Sequence, residues 1–171
     1  MTGEPGHAGD DAVVCEIAIR APARTVYAMF TDPAQLVRWI GIRALLEPTP
    51  GGAFRFELVP GEFCSGRYVE LVPGRRVVFT WGWESGALPV APGSSTVEVD
   101  LDERDGVTHV RLTHRGLDAA MRPWHADGWA QYLRRLAAAA EGRDPGPDPA
   151  AAYAATGPPP GPPTEPPRSD A

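Results

Sequence analysis

THRGLDAAMRPWHADGWAQYLRRL, residues 113–136, is the stretch of this 171-residue chain that decides its fold. It begins as the end of a strand and continues as one long amphipathic helix. Met121, His125, Trp129 and Leu133 recur at helical spacing and form a single stripe. Nearly everything before this helix has the pattern of β-strands. The stretch therefore predicts a sheet that grips a lone C-terminal helix, with a space for a small molecule between them.

The start of this helix can be placed only within a few residues. Asp118 is a good capping residue, but Pro123 equally favours a start near Met121. Gly128 lies in the helix interior, where glycine costs about 1 kcal/mol relative to alanine. We expect a close approach of the backbone to the sheet or to a ligand as the offset. The face opposite the stripe is predicted to be exposed, and it carries Arg122, Gln131, Arg134 and Arg135.

Upstream of the helix, the alternation of apolar and polar residues predicts six or seven strands. Those that the pattern delimits cover residues 12–20, 53–59, 62–72, 75–83, 96–104 and 107–114. Two short helices, over residues 23–30 and 33–40, follow the first strand, each with a proline near its start. Asp105-Gly106 is a hairpin turn signal. Short connections favour antiparallel neighbours, so the predicted class is α+β.

Composition divides the chain into three parts. Residues 1–11 are predicted to be a flexible N-terminal arm, and residues 12–141 a single folded domain. Residues 142–171 hold ten of the twenty prolines and almost no large apolar residue. Such a segment cannot bury enough surface to offset its ordering entropy, which predicts a disordered Pro-rich tail. The tail is either a solvated extension or a ligand for polyproline-binding domains.

Charge and cysteine content exclude several classes of function. The net charge is −6, which argues against non-specific binding to nucleic acid or to an anionic membrane. All sixteen basic residues are arginine, which excludes lysine chemistry. Cys15 and Cys64 lie in predicted strands and do not make a disulfide framework. With neither a signal-peptide pattern nor an 18-residue apolar run, we expect a cytoplasmic protein.

Six aromatic residues are candidates for the walls of an apolar pocket between sheet and helix. They are Phe54, Phe56, Phe79 and Trp81 on strands, and Trp124 and Trp129 on the helix. Aromatic walls with a few polar groups are typical of small-molecule sites. Aromatic residues also dominate solid cores, so the pattern leaves both interpretations open.

Two histidines are predicted to point inward near one end of the domain. His114 shares strand parity with Val110 and Leu112, and His125 lies on the helix stripe. They could anchor a polar group of a ligand or act in acid–base chemistry. The alternative is that each makes one structural hydrogen bond.

Motifs for other chemistries are not found. His109 should face outward, and no His, Cys, Asp or Glu pair has the spacing of a metal-ligand set. Neither Cys64 nor Ser65 lies in a nucleophile elbow. The chain contains no GxGxxG or Walker sequence, and Gly51-Gly52 precedes a strand, so it is a turn. We therefore expect no metal, no cofactor and no covalent catalysis.

Several segments together resemble a known superfamily. They are IRAPARTVYAMFTDPAQLVRW at 19–39, CSGRYVELVPGRRVVFTW at 64–81, LTHRGL at 112–117 and HADGWAQYLRRL at 125–136. In this order, over about residues 13–141, they resemble the SRPBCC superfamily, also called START-like or Bet v 1-like. The branch they resemble is the C-terminal domain of the activator of heat shock protein 90 ATPase. The resemblance implies the helix-grip fold: a curved antiparallel sheet around a long C-terminal helix, with two short helices after the first strand.

The resemblance also implies an internal cavity for hydrophobic or amphipathic small molecules, without an invariant catalytic set. The main hypothesis is a ligand-binding module without catalysis. Its site residues are Phe54, Phe56, Phe79, Trp81, His114, His125, Trp129 and Leu133. One alternative is an interaction domain with a chaperone or regulator as its partner. The other is a cyclase- or hydratase-type enzyme that uses His114 or His125 as its acid–base group.

Overall fold

The computed structural model describes residues 11–151 of the chain. Their elements, in order, are β1 (Val13–Ile19), α1 (Ala23–Thr31), α2 (Pro33–Leu36), β2 (Arg43–Leu46), β3 (Ala53–Val59), β4 (Glu62–Val72), β5 (Arg76–Trp81), β6 (Ser95–Arg104), β7 (Val107–Arg115) and α3 (Arg122–Ala140). Most of the predicted N-terminal arm, residues 1–10, and most of the predicted tail, residues 152–171, lie outside the described residues. None of the described helices is both long enough and apolar enough to span a bilayer.

The strands form one antiparallel sheet in the order β1-β7-β6-β5-β4-β3-β2. The long helix α3 lies against β1 and α1. This arrangement confirms the predicted α+β helix-grip fold with seven strands. The seventh strand is β2, a four-residue edge strand that pairs only with β3. Four residues are too few for alternation to be recognised, which explains why the sequence pattern did not delimit it.

A side-chain cap and a proline explain where the second short helix begins. The side chain of Asp32 accepts a hydrogen bond from the Ala34 amide at 2.9 Å, and Pro33 occupies the first turn of α2. Helix α2 ends at Leu36, earlier than the predicted residue 40, and the chain continues as turns. The indole of Trp39 donates to the carbonyl of Met29 at 2.9 Å. This buried bond holds the turns that follow α2 against α1.

The hairpin between β6 and β7 sets the register of the central strands. Asp105 and Gly106 both have positive φ, 52° and 78°, as a two-residue type I′ turn requires. The turn pairs Arg104 with Val107 and, further along the ladder, Val97 with His114. The predicted turn is confirmed, and its register carries the His114 side chain to the buried face.

The core between the sheet and the helices is closely packed around aromatic rings. The rings of Phe54 and Phe79 stack with centroids 4.0 Å apart, and Phe56 lies edge-on to Phe54 at 6.0 Å. The hydroxyl of Tyr68 donates to the carbonyl of Phe30 at 2.7 Å, which joins β4 to α1. All these rings are almost completely buried. This part of the core is therefore filled by side chains.

Helix α3 begins at Arg122, the later of the two predicted starts. Its far face is less exposed than predicted. Arg134 is exposed, but Arg122 and Gln131 are half-buried. Arg135 is half-buried as well, because its Nε donates to the carbonyl of Trp39 at 2.9 Å. The guanidinium therefore joins α3 to the end of the short helices, a role that helical spacing alone does not reveal.

Residues 142–151, which we call the C-terminal segment, lie on α3 although composition assigns them to the Pro-rich tail. The hydroxyl of Tyr132 donates to Oδ1 of Asp148 at 2.6 Å, and the same oxygen accepts from the Ala150 amide at 2.8 Å. The Ala150 side chain is buried. These anchors hold part of the C-terminal segment on α3 despite its low apolar content.

Candidate functional site

A narrow cleft lies between the end of β5 and the inner face of α3. Six aromatic side chains line it: Trp81, Trp83, Trp124, His125, Trp129 and Tyr132. We call it the tryptophan cleft. Its remaining lining is uncharged and includes Gly128 on α3 and Pro149 and Ala150 of the C-terminal segment. The cleft has a volume of about 50 Å³, whereas small-molecule sites commonly hold about 300–1,000 Å³.

The strand side of the cleft depends on one glycine. Trp81 ends β5, and Trp83 forms an isolated bridge with Cys64 on β4. Between them, a Cβ on Gly82 would lie 1.8 Å from the carbonyl oxygen of Ala91. Only glycine allows the loop after Trp83 to cross the strand this closely. The two indoles thus continue the inward face of β5 past the end of its regular ladder.

The aromatic rings of the cleft pack against one another in T-shaped or tilted pairs. Ring centroids are 5.5 Å apart for Trp81 and Trp83, and 5.1 Å apart for Trp81 and Trp129. Trp124 lies 6.2 Å from Trp83 and 4.9 Å from His125. Separations of this size favour T-shaped and offset contacts. The result is a box of rings that joins β5 to α3.

His114 is completely buried at the base of this box and uses both ring nitrogens. Its Nδ1 accepts from the indole Nε1 of Trp129 at 3.0 Å. Its Nε2 lies 2.8 Å from Oγ of Ser95, and that hydroxyl donates to the carbonyl of Trp81 at 2.9 Å. Nε2 therefore carries the proton. Burial, and secondarily the neighbouring His125, lower the pKa of His114 to about 3.

This geometry bears on the hypothesis that His114 is an acid–base group. Each of its nitrogens is already committed to a partner, and the ring stays neutral at physiological pH. A proton transfer would require a buried hydrogen bond to break first. The arrangement supports the structural interpretation, in which His114 joins β7, β6 and α3.

His125 differs from His114 because one of its nitrogens lacks a partner. Nδ1 lies 2.9 Å from the carbonyl of Met121, which only accepts, so Nδ1 carries the proton. Nε2 is buried and has no hydrogen-bond partner among residues 11–151. Burial lowers the pKa of His125, although the bond to Met121 acts in the opposite direction. His125, one of the residues that line the cleft, therefore has a neutral imidazole with a buried Nε2 lone pair.

Two other residues that line the cleft also contain a buried nitrogen without a hydrogen-bond partner among the described residues. Nε1 of Trp81 and Nε1 of Trp83 are buried, and the part of the chain that the structure describes offers neither a hydrogen-bond partner. Leaving a buried polar group unpaired costs about 1–3 kcal/mol. Three residues that line the cleft thus each hold one buried polar atom without a partner among residues 11–151: an acceptor on His125 and a donor on each of Trp81 and Trp83.

The structure brings together only part of the predicted site. Trp81, His125 and Trp129 line the tryptophan cleft. Phe54, Phe56, Phe79, His114 and Leu133 are buried but do not line it. Trp83 and Tyr132 line the cleft and were not among the predicted site residues. The parity that Trp83 shares with Trp81 was the available signal for Trp83.

Other reactive groups in the described residues do not form a site. No cluster of three or more His, Cys, Asp or Glu side chains between residues 11 and 151 has the geometry to hold a metal ion. Cys64 is buried and Cys15 half-buried, and neither is in a disulfide. Burial raises the pKa of both thiols. They behave as small apolar side chains.

Comparison with known protein families gives one match over most of the chain. The model of the family described as "Activator of Hsp90 ATPase homolog 1-like protein" matches residues 20–141. The match includes β5, β7 and α3, the elements that carry the tryptophan cleft.

Three individual proteins illustrate what the chain is similar to. The solution structure of an AHSA1-like protein from Rhizobium etli is 45% identical, with a TM-score of 0.64, over 81% of this chain and 86% of that one. The human activator of 90 kDa heat shock protein ATPase homolog 1 is 26% identical over 69% of this chain. An uncharacterised Schizosaccharomyces pombe protein is 29% identical over 57% of this chain. The matches span 34% and 27% of these two curated relatives, so this chain corresponds to about a third of their length.

Proposed function

The chain belongs to the family of Activator of Hsp90 ATPase homolog 1-like proteins, and from this premise we propose that it binds a small, largely apolar molecule in the tryptophan cleft. Its family supplies the fold, but members of one fold carry out different functions, so the argument rests on the site.

The observation that carries the proposal is the concentration of unpaired polar atoms in one apolar cleft. Nε2 of His125 and Nε1 of Trp81 and Trp83 are buried and unpaired. Buried polar groups are ordinarily satisfied, and exceptions call for a specific explanation. A ligand that supplies their partners is such an explanation, because sites for small molecules combine apolar walls with a few convergent polar groups.

The present volume of the cleft requires a movement for this function. About 50 Å³ has room for one or two water molecules but not for a drug-sized ligand. Pro149 and Ala150 of the C-terminal segment form part of the wall, and this segment is anchored by the bond between Asp148 and Tyr132. Short segments with few buried contacts open most easily. We expect the C-terminal segment to move aside when a ligand enters.

Calorimetric titration with a neutral apolar fluorophore, N-phenyl-1-naphthylamine, tests the proposal. We expect the wild type to bind it and Asp148→Ala to bind it more tightly, because that change removes one anchor of the C-terminal segment and leaves the bonds from Arg135 to the carbonyls of Pro145 and Gly146. Trp83→Ala should weaken binding, whereas Val69→Ala on the exposed face should not. A ligand at 100 times its Kd should also add about 2.7 kcal/mol to the free energy of unfolding. Absence of binding to both wild type and Asp148→Ala would refute the proposal.

A second candidate function is an interaction with a chaperone of the 90 kDa heat shock class. The human relative, an activator of that ATPase by name, favours it. Ile42 and Leu45, each 55% exposed, lie at the free edge strand β2 and would suit a protein contact.

An ATPase assay with purified 90 kDa heat shock protein tests this second candidate. We expect the chain to raise the ATPase rate and the double variant Ile42→Ser/Leu45→Ser to lose the effect. The matched control is Val69→Ser/Val72→Ser, which removes two exposed apolar side chains from β4. An unchanged ATPase rate with the wild type would exclude this function.

A further inference from the structure

We infer that the ligand of the tryptophan cleft is a neutral, flat apolar molecule with a hydroxyl group, whose hydrogen is donated to Nε2 of His125. The inference rests on the proposed function and specifies its ligand class. Four observations carry it: the tautomer of His125, the two unpaired indole donors, the uncharged lining and the open space beside Gly128.

The tautomer of His125 determines what the ligand must offer. Nδ1 of His125 donates its proton to the carbonyl oxygen of Met121, which lies 2.9 Å away. In this neutral tautomer Nε2 carries no hydrogen and can only accept. His125 is 3% exposed and Nε2 has no partner among the described residues. A molecule that enters the cleft must therefore bring a hydrogen-bond donor to this nitrogen, or leave the cost of the unpaired acceptor in place.

The indoles of Trp81 and Trp83 require the complementary group. Their N–H groups can only donate, so they need an acceptor. A hydroxyl is the smallest neutral group that does both, since its hydrogen serves His125 and its oxygen lone pairs serve an indole. An ether or ketone would leave Nε2 unpaired, and an ammonium would leave the indoles unpaired.

Charge excludes the ionic alternatives. The twelve residues that line the cleft include no Arg, Asp or Glu. Burial lowers the pKa of His125, so the ring offers no positive charge to an anion near neutral pH. Burying a carboxylate here would remove its hydration without supplying a cation, which is strongly unfavourable. The ligand is therefore neutral.

The shape of the site indicates a flat body. A Cβ added at Gly128 would have no neighbour within 4 Å. Gly128 follows His125 by three positions, so this open space lies on the same face of α3 as His125, and both residues line the cleft. An aromatic ring above Gly128 would have Trp129 and Trp81 beside it, whose own centroids are 5.1 Å apart. Stacked and edge contacts with such rings favour a planar ligand.

Isothermal titration calorimetry with three matched probes tests the inference: 2-naphthol, 2-methoxynaphthalene and 2-naphthoate. We expect 2-naphthol to bind at least about tenfold more tightly than its methyl ether, because the ether cannot donate to Nε2. Naphthoate should bind most weakly. The measurements use wild type, Asp148→Ala to release the C-terminal segment, and Asp127→Ala as a control of equal charge change on the exposed face of α3.

The variant His125→Phe isolates the acceptor. This variant keeps an aromatic ring but has no acceptor. The ratio of the affinities for 2-naphthol and for its methyl ether should fall to about one, whereas the affinity for the ether should change little. As a readout that needs no variant, the ¹⁵N resonance of His125 Nε2 should shift on addition of 2-naphthol and remain unchanged with the ether.

The outcomes separate this inference from the proposed function. Equal affinities for naphthol and ether, tighter binding of naphthoate, or an unmoved Nε2 resonance would overturn the hydroxyl assignment while leaving the cleft a ligand site. Failure of all three probes with both wild type and Asp148→Ala would overturn the proposed function itself. A water molecule alone on Nε2, retained at saturating naphthol, would also overturn the assignment.

Discussion

At the scale of single residues, the two inward histidines have different roles although the sequence treats them alike. His114 bonds to Ser95 and Trp129 through its two nitrogens and is satisfied by the protein. His125 is satisfied at Nδ1 alone. The difference depends on which neighbours each ring meets in the fold. It supports a structural role for His114 and makes His125 the polar group through which we propose that a ligand is bound.

The hydrogen bond from Trp129 to His114 should be measurable as stability. Trp129→Phe removes the indole donor and leaves Nδ1 of His114 buried and unpaired, which should cost about 1–3 kcal/mol beyond the loss of ring area. The control is Trp83→Phe, an equal change in size at a nitrogen that bonds to nothing. Urea unfolding measures both variants. Equal losses in the two would show that the bond contributes nothing.

Stability should also depend on pH through both histidines. Burial lowers both pKa values in the folded state, to about 3 for His114, from an ordinary value of 6.5. As the pH falls below 6.5, the unfolded chain takes up protons that the folded chain refuses, so stability is lost on acidification. The slope approaches about 1.4 kcal/mol per pH unit for His114, and the lowered pKa of His125 adds to it in the same direction.

Urea unfolding between pH 6.5 and 5 checks this dependence. The lowered pKa values of Glu57 and Glu141 remove stability only below their ordinary value of 4.5, outside this window. His125→Phe should make the dependence of stability on pH less steep. A stability that does not change with pH over this window would contradict the burial of the two rings in neutral form.

At the scale of elements, α3 and the C-terminal segment together decide how open the cleft is. Helix α3 contributes Trp129 and His125 to the lining, and the C-terminal segment contributes Pro149 and Ala150. Gly128 does not bring the helix close to the sheet, since a Cβ there would meet nothing within 4 Å. The expected approach to the sheet is therefore wrong. The glycine instead leaves space beside the cleft.

Gly128→Ala should separate stability from binding. Alanine in the helix interior should raise the free energy of unfolding by up to about 1 kcal/mol, because it restricts the unfolded chain. Its methyl group would also occupy the open space and weaken binding of 2-naphthol. Urea unfolding and calorimetry measure the two effects.

Ala130→Gly provides the control for this prediction. It makes the reverse change at an exposed position of α3 and should lower stability without altering affinity. If Gly128→Ala leaves naphthol affinity unchanged, the ligand does not lie beside Gly128.

At the scale of the whole molecule, the family fold extends over most of the chain, and the C-terminal segment adds to it. The family model ends at residue 141, where α3 has just finished. The bond between Tyr132 and Asp148 then turns the next ten residues back onto α3. The functional unit that we expect is therefore residues 12–151, ten residues longer than the predicted domain.

Two truncated chains test this boundary. A chain that ends at Ala151 should unfold at the same temperature as the full chain, because the composition of residues 152–171 offers little apolar surface to bury. A chain that ends at Glu141 should unfold at a lower temperature, since it lacks Ala150 and the Asp148 bond. Its tryptophans should also be quenched more readily by acrylamide. Identical behaviour of the two truncated chains would place the boundary at 141.

The sequence by itself determined most of the architecture: alternation delimited every strand except β2, Asp105-Gly106 predicted the hairpin, and the stripe through His125 and Trp129 predicted the gripped helix. Those signals are local, because period and turn chemistry depend on residues a few positions apart. Tertiary structure alone decided that Phe54 and Phe79 fill the core while Trp81 and Trp83 border a cleft. Parity says which side of a strand is inward, but whether that side meets another side chain or open space depends on elements far away in the sequence, such as α3 and the C-terminal segment.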